Sequence, residues 1–168
     1  MHFRVHVKVE ITHIGKTDPK GIVAAAIERT KQYDKVFCAI DRDTHETFDE
    51  ALRMSANNEK VVVVPSYPCF EFWYLLHFGY TRKAYTSIGG ASAGDRLVSD
   101  LKAKEGMKDY AKGGEKGMFE LLLPNFVVAR RHSSRALADA QRDGEVNPST
   151  TMHELMDFFE SLSAPQQK

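Results

Sequence analysis

Two short runs of apolar residues, Val36–Ile40 and Val61–Val64, constrain the fold of this chain more than any other feature. Each run has the length of a strand, and segments with helical spacing precede the first run and separate the two. Strands that are apolar throughout and are connected through helices are typical of a parallel sheet covered on both faces. The sequence therefore predicts an α/β fold with an open, mainly parallel sheet flanked by helices and right-handed crossover connections.

The remaining elements are predicted from residue spacing and from capping signals. Residues 3–11 alternate strictly between apolar and polar side chains, which predicts a strand with one apolar face. Thr47 and Thr151 each lie three residues before a glutamate, which is the capping-box pattern that opens a helix. Helices are predicted over residues 20–32, 48–57, 69–78, 92–104, 119–142 and from 151 onward.

We expect three parts along the chain. Residues 1–78 form the α/β core, residues 79–162 form a helical extension that packs on the sheet or makes a small lid, and residues 163–168 form a frayed tail. The length of 168 residues corresponds to about one domain. A domain of this size can bury an ordinary core without disulfides or a structural metal.

Composition limits the class of protein. The chain contains 23 Lys+Arg and 23 Asp+Glu, so its formal net charge of zero excludes a polybasic nucleic-acid binder but leaves room for local basic patches. No apolar run approaches the roughly 18 residues that a membrane span needs, and the N-terminus lacks the apolar region of a signal peptide. The two cysteines match neither a zinc spacing nor a disulfide framework. These features predict a cytoplasmic protein with no membrane association.

Asp41 and Asp43 directly follow the first apolar strand. In open α/β sheets, ligands bind outside the carboxyl ends of the strands. Mg²⁺ is typically held there by one or two carboxylates together with water and phosphate oxygens. The pair therefore predicts a Mg²⁺ (or Mn²⁺) site suited to phosphoryl-transfer or phosphodiester chemistry. The alternative is that both carboxylates are turn residues that accept hydrogen bonds from nearby backbone N–H groups.

A second candidate group, residues 66–78, follows the next apolar strand and therefore starts at the same sheet edge. Glu71 lies in the predicted first turn of a helix with almost no polar face, where a carboxylate needs a metal, an arginine or backbone donors. The alternative is a carboxylate that is mildly favoured by the helix N-terminus. His77 is interpreted either as a catalytic group or as a structural histidine.

Two further groups are candidates for substrate contacts. Residues 147–150 read Asn-Pro-Ser-Thr, which a turn followed by a helix cap also explains. A set of basic residues could bind a phosphate backbone or could form a solvated helix face; Arg131 and Arg135, four residues apart, share one face. The basic set consists of Lys112, Lys116, Arg130, Arg131 and Arg135.

Together these motifs resemble the RloB family. They are an apolar strand that leads into D-x-D over 36–43, S-x-P-x-F-E-x-W-x-L-x-H-F over 66–78, and N-P-S-T over 147–150. The resemblance extends from about residue 5 to about residue 160. It implies a Toprim-type domain, in which Asp41 and Asp43 are the metal ligands.

The resemblance also implies a function. It is that of a Mg²⁺-dependent phosphodiester-cleaving component of a bacterial defence or restriction-linked system, acting on DNA or RNA beside an AAA/ABC-type ATPase encoded nearby. On this interpretation Glu71 is a third acidic ligand or the base for a metal-bound water, and His77 orients a ligand or transfers a proton. The implied substrate contacts are Ser66, Arg130, Arg131, Arg135 and Asn147.

The sequence departs from the family pattern at its start. The family has a strand and an E-G-x-x-T-E-like turn before the alternating strand, whereas here the alternation begins at Phe3 and Glu10 lies inside it. The glutamate of that family turn has no counterpart in this sequence. We therefore expect either a truncated chain or a degenerate member of the family. An open sheet edge at this position predicts a homodimer. The alternative function is a non-catalytic Toprim-like module that docks on an ATPase partner.

Overall fold

The computed structural model describes residues 7–113 and 117–163 and shows a mixed α/β fold. Strands β1 and β2 are parallel, with Val36 opposite Val61 at one end and Asp41 opposite Ser66 at the other. The third strand, β3, pairs antiparallel with the end of β2. The prediction of an open, mainly parallel α/β sheet is therefore confirmed. The strands are β1 (Val36–Asp41), β2 (Val61–Tyr67) and β3 (Ser149–Thr150).

Helices flank this sheet and make up most of the second half of the described chain. Pro124 interrupts the long helix predicted over 119–142, since proline has no N–H to donate and its ring crowds the preceding turn. The helix predicted over 69–78 is confined to its central five residues and continues as tight turns. The helices are α1 (Pro19–Arg29), α2 (Phe48–Ala56), α3 (Glu71–Leu75), α4 (Ala93–Lys102), α5 (Met118–Leu122), a 3₁₀ turn (Leu123–Asn125), α6 (Phe126–Asp143) and α7 (Met152–Ser163).

The two faces of β1 are covered by different parts of the chain. Cys38 and Ile40 are buried against α1 and α2 in one apolar cluster. Phe37 points the other way, and its ring centroid lies 4.8 Å from that of Phe158 in α7. A second cluster packs α3, α4 and α6 beside β2 around residues such as Phe72, which is fully buried. One face of β1 is therefore buried, whereas the other is only partly covered, since Ala39 on the side of Phe37 is exposed.

The strand predicted over residues 3–11 is not formed in the part that the structure describes. Residues 3–6 lie outside the described residues, and 7–11 are not in a strand. Val9 and Ile11 are 52% and 93% exposed. The Glu10 carboxylate accepts a hydrogen bond from the Tyr33 hydroxyl and pairs with Arg29 at 3.5 Å. Alternation supplies an apolar face, but a strand also needs a partner for its backbone, and here side-chain contacts hold the segment instead.

Two further sequence expectations concern the chain as a whole. Within the described residues, no helix is both long enough and apolar enough to cross a membrane. The predicted frayed tail lies outside the described residues, except for Ser163, which ends α7.

Candidate active site at the carboxyl edge of the sheet

The carboxyl ends of the parallel strands bring Asp41 close to Glu71. Asp41 is the last residue of β1, and the chain leaves β2 through a cis Tyr67–Pro68 bond before α3 begins at Glu71. The Phe70 N–H donates a hydrogen bond of 2.8 Å to Asp41 Oδ1. This bond ties the end of β1 directly to the start of α3, and the two acidic residues are near enough to interact electrostatically.

Glu71 is a buried carboxylate whose two oxygens differ in their surroundings. Its Oε1 accepts a hydrogen bond of 3.0 Å from the Tyr110 hydroxyl and lies 3.8 Å from Lys112 Nζ. Its Oε2 is buried and has no hydrogen-bond partner among the described residues. An unsatisfied buried oxygen of this kind costs about 1–3 kcal/mol, and such groups are concentrated where a protein binds something.

The electrostatics of the site depend on the same contacts. Burial raises the pKa of Asp41 to about 6, and the negative charge of Glu71 adds to the rise. Burial would lower the pKa of Lys112, but Glu71 and the neighbouring acidic groups outweigh it and raise that pKa, so the lysine stays charged. Burial also raises the pKa of Cys69, with a further contribution from Glu71, and keeps its thiol neutral.

Asp43 holds the start of α4. Its Oδ2 accepts a hydrogen bond of 3.1 Å from the Ser92 hydroxyl, and its Oδ1 accepts one of 3.3 Å from the Gly94 N–H. The structure thus gives Asp43 a contact with a distant helix start, and not the bonds to the local backbone of its own turn that the alternative interpretation expects. The role of Asp43 as a metal ligand stays a prediction. Metal binding by Asp43 would require its hydrogen bonds with Ser92 and Gly94 to break.

Gly94 is constrained by the same contact. A methyl group on Gly94 would lie 2.7 Å from Asp43 Oδ2, which is closer than real contacts allow. We expect Gly94→Ala to lower the free energy of unfolding by about 1–2 kcal/mol because the carboxylate must leave the helix start. Urea unfolding followed by circular dichroism measures this change.

A double-mutant cycle isolates the contact. In an Asp43→Ala background the oxygen that the new methyl group would strike is absent, and alanine is intrinsically about 1 kcal/mol better than glycine in a helix. We therefore expect Gly94→Ala to be neutral or stabilising in that background. An equal loss in both backgrounds would show that the constraint on Gly94 does not come from Asp43.

His77 is buried in the core. Its Nδ1 is 3.0 Å from the Trp73 carbonyl oxygen, and its ring lies edge-on to the Trp73 ring at 4.9 Å. Burial lowers the pKa of His77, although bonds to the backbone oppose the shift. These contacts fit the structural interpretation of this histidine, and its catalytic role stays a prediction.

Ser66 and Asn147 participate in internal hydrogen bonds. The Ser66 hydroxyl is 2.8 Å from the Thr150 hydroxyl and joins β2 to β3. The Asn147 side chain bonds to the backbone of Tyr85, donating to its carbonyl and accepting from its N–H. These bonds give both residues a structural role, and substrate contact by either stays a prediction.

The predicted basic residues of α6 are dispersed along the helix. Arg130 pairs with Asp157 and Glu160 of α7, so its charge is already balanced. The Arg135 guanidinium stacks 4.0 Å from the ring centroid of Tyr80. Arg131 is exposed. Arg135 also lies 3.7 Å from a carboxylate oxygen of Asp139, so Arg131 remains the better candidate for a phosphate contact on this helix.

Sequence reasoning missed the two loop residues that complete the site. Tyr110 was given no role, and Lys112 was named only as one of several basic residues. Both come from the loop between α4 and α5, which Met107 and Tyr110 anchor with 0% and 8% exposure. Two buried apolar groups three residues apart in a glycine-flanked loop are a signal that the loop is held in place, but they do not indicate what it contacts.

A cation at this site would rest on two carboxylates. Among the described residues, no group of three or more His, Cys, Asp or Glu side chains is arranged to hold a metal ion. Mg²⁺ usually takes only one or two protein carboxylates and completes its shell with water and phosphate oxygens. Asp41 and Glu71, with an Oε2 that lacks a partner, fit that requirement.

The fold and site define an α/β protein with a half-buried aspartate and a buried glutamate at the carboxyl edge of its parallel strands. The chain belongs to the RloB-like protein family, whose model matches residues 2–159. This match confirms the family that the three sequence motifs indicated. Comparisons with curated proteins and with solved structures gave no match.

Proposed function

We propose that this protein is a Toprim-like, Mg²⁺- or Mn²⁺-dependent enzyme that cleaves phosphodiester bonds in DNA or RNA, as a component of a bacterial defence or restriction-linked system. The observation that carries the proposal is the pairing of half-buried Asp41 with buried Glu71 at the carboxyl edge of the parallel strands, with one Glu71 oxygen that has no hydrogen-bond partner among the described residues. Ligands of open α/β sheets bind at this edge. Membership of the RloB-like family supports the proposed place in a bacterial defence or restriction-linked system.

Each residue around the pair has a distinct part in this proposal. Asp41 and Glu71 hold the cation, which when bound activates a water and polarises a phosphoryl oxygen. The Tyr110 hydroxyl fixes Glu71 Oε1, and the Phe70 N–H fixes Asp41 Oδ1, so both carboxylates are oriented before the substrate arrives. Asp43 keeps the start of α4 beside them.

The test is cleavage of supercoiled plasmid and of tRNA with Mg²⁺, with Mn²⁺ and with EDTA. We expect strand breaks with either cation and none with EDTA, because the carboxylates cannot activate a water without a Lewis acid. Cleavage that persists in EDTA contradicts the proposed chemistry. An absence of cleavage of both substrates in every condition favours the alternative function.

That alternative is a non-catalytic module of the same fold that docks on an AAA/ABC-type ATPase. Phe119 of α5, Leu123 of the 3₁₀ turn and Val127 of α6 favour it, since these apolar side chains are 69%, 50% and 63% exposed in consecutive helical elements. Groups of exposed apolar side chains often mark protein interfaces. Calorimetric titration with Mn²⁺ separates the two functions, because a docking module requires no cation site.

We also propose a homodimer. The outer edge of β1 has no strand partner within residues 7–113 and 117–163, and an open edge is a template for pairing with another chain. Light scattering is expected to give twice the chain mass of 19.0 kDa. A strictly monomeric species would contradict this arrangement.

A further inference from the structure

Lys112 reaches the acidic pair from solvent. Its Nζ lies 3.8 Å from Glu71 Oε1, and its side chain is 55% exposed whereas that of Glu71 is 6% exposed. Other lysine–carboxylate pairs in the protein are closer, such as Lys20–Glu50 at 2.7 Å. The ammonium therefore balances a buried charge from outside without forming a tight ion pair.

The acidic groups need such a charge. Taking carboxylates out of water is costly unless an opposite charge or several donors compensate. The ammonium of Lys112 interacts with Glu71, Asp41 and Asp43 together. The lysine charge therefore compensates the same carboxylates that a cation bound by Asp41 and Glu71 would compensate.

The loop allows the ammonium to leave without unfolding. Met107 and Tyr110 are buried and hold the loop in place, and the Tyr110 hydroxyl remains bonded to Glu71. The lysine stem has four carbons and free rotation, so the charged end can move while the backbone stays fixed. A half-exposed side chain loses little packing when it turns.

We propose, on the basis of the function proposed above, that Lys112 is a displaceable counter-ion of the Asp41–Glu71 pair. A divalent cation displaces the ammonium from the carboxylates, because two positive charges cannot share the site at low cost. The released ammonium then binds a phosphate of the nucleic-acid substrate. Lys112 is therefore both a competitor of the cation and a substrate-binding residue.

Lys112→Gln tests this proposal because the substitution should strengthen Mn²⁺ binding but slow cleavage. We expect Mn²⁺ to bind the variant about fivefold more tightly in calorimetry without substrate, since the competing charge is gone. We expect cleavage of plasmid or tRNA with saturating Mn²⁺ to fall by about tenfold or more, since a phosphate contact is lost. Lys112→Arg keeps the charge and should bind Mn²⁺ about as the unmodified protein does.

Lys108→Gln is the matched control, because it removes an equal charge from an exposed position of the same loop. The Mn²⁺ affinity and the cleavage rate of this variant should both stay within about twofold of those of the unmodified protein. The inference is overturned if Lys112→Gln leaves Mn²⁺ affinity unchanged or weakens it while circular dichroism shows a folded protein. Failure of the proposed function appears separately, as an absence of Mn²⁺ binding by the unmodified protein, and it overturns the inference as well.

Discussion

Asp41→Asn is expected to lower the rate of Mg²⁺- or Mn²⁺-dependent cleavage by about 100-fold or more while the protein stays folded. The asparagine oxygen can still accept the hydrogen bond that the Phe70 N–H donates to Asp41 Oδ1, so the link between β1 and α3 is preserved. The variant lacks the negative charge that a hard cation requires. Initial rates of plasmid nicking, together with Mn²⁺ titration calorimetry, measure both consequences.

The matched variant is Asp43→Asn, which removes the same charge two residues away. Because the Asp43 carboxylate is bonded to Ser92 and Gly94 at the start of α4, we expect this variant to keep cleavage within about tenfold of the unmodified protein. Equal losses in the two variants would support Asp43 as a further metal ligand beside Asp41 and Glu71, as the sequence motif predicts. Full activity of Asp41→Asn would exclude the proposed cation site.

The sequence was sufficient to predict that Asp41 and Glu71 lie at the same edge of the sheet. Val36–Ile40 and Val61–Val64 are apolar at every position, so parallel strands were the natural interpretation, and the structure has them. Once the strands are parallel, the residues that follow them meet at one edge. The positions of Asp41 and Glu71 follow from that geometry.

The contacts that define the chemistry could not be predicted in this way. Tyr110 and Lys112 reach Glu71 across about forty positions of sequence, and a loop has no periodicity that indicates where it packs. The strand β3 has two residues and depends on the contact between Ser66 and Thr150, which a local pattern does not contain. The segment at 7–11 is the opposite case, since its alternation is strong but it pairs with no strand in the described part of the chain.

Asp41→Asn is also expected to stabilise the protein at neutral pH. The pKa of Asp41 is raised from its ordinary 3.8 to about 6 by burial and by Glu71, so the folded state binds the proton more tightly than the unfolded state does. Its contribution to stability is therefore greatest below about pH 4, declines as pH rises to about 6, and remains as a cost above that range. A shift of this size corresponds to roughly 1–3 kcal/mol after allowance for partial solvent exposure.

Urea unfolding in EDTA at pH 7.5 and at pH 4 tests this dependence. The asparagine carries no charge at either pH, so the variant should gain stability at pH 7.5 and gain little at pH 4, where the aspartate is already protonated when folded. Asp43→Asn should show no such gain, because it weakens the contacts at the start of α4. A gain of the same size at both pH values would mean that the substitution acts through packing. A gain confined to neutral pH would mean that the protein retains a costly buried charge at the edge of its sheet, which is what a site for a hard cation requires.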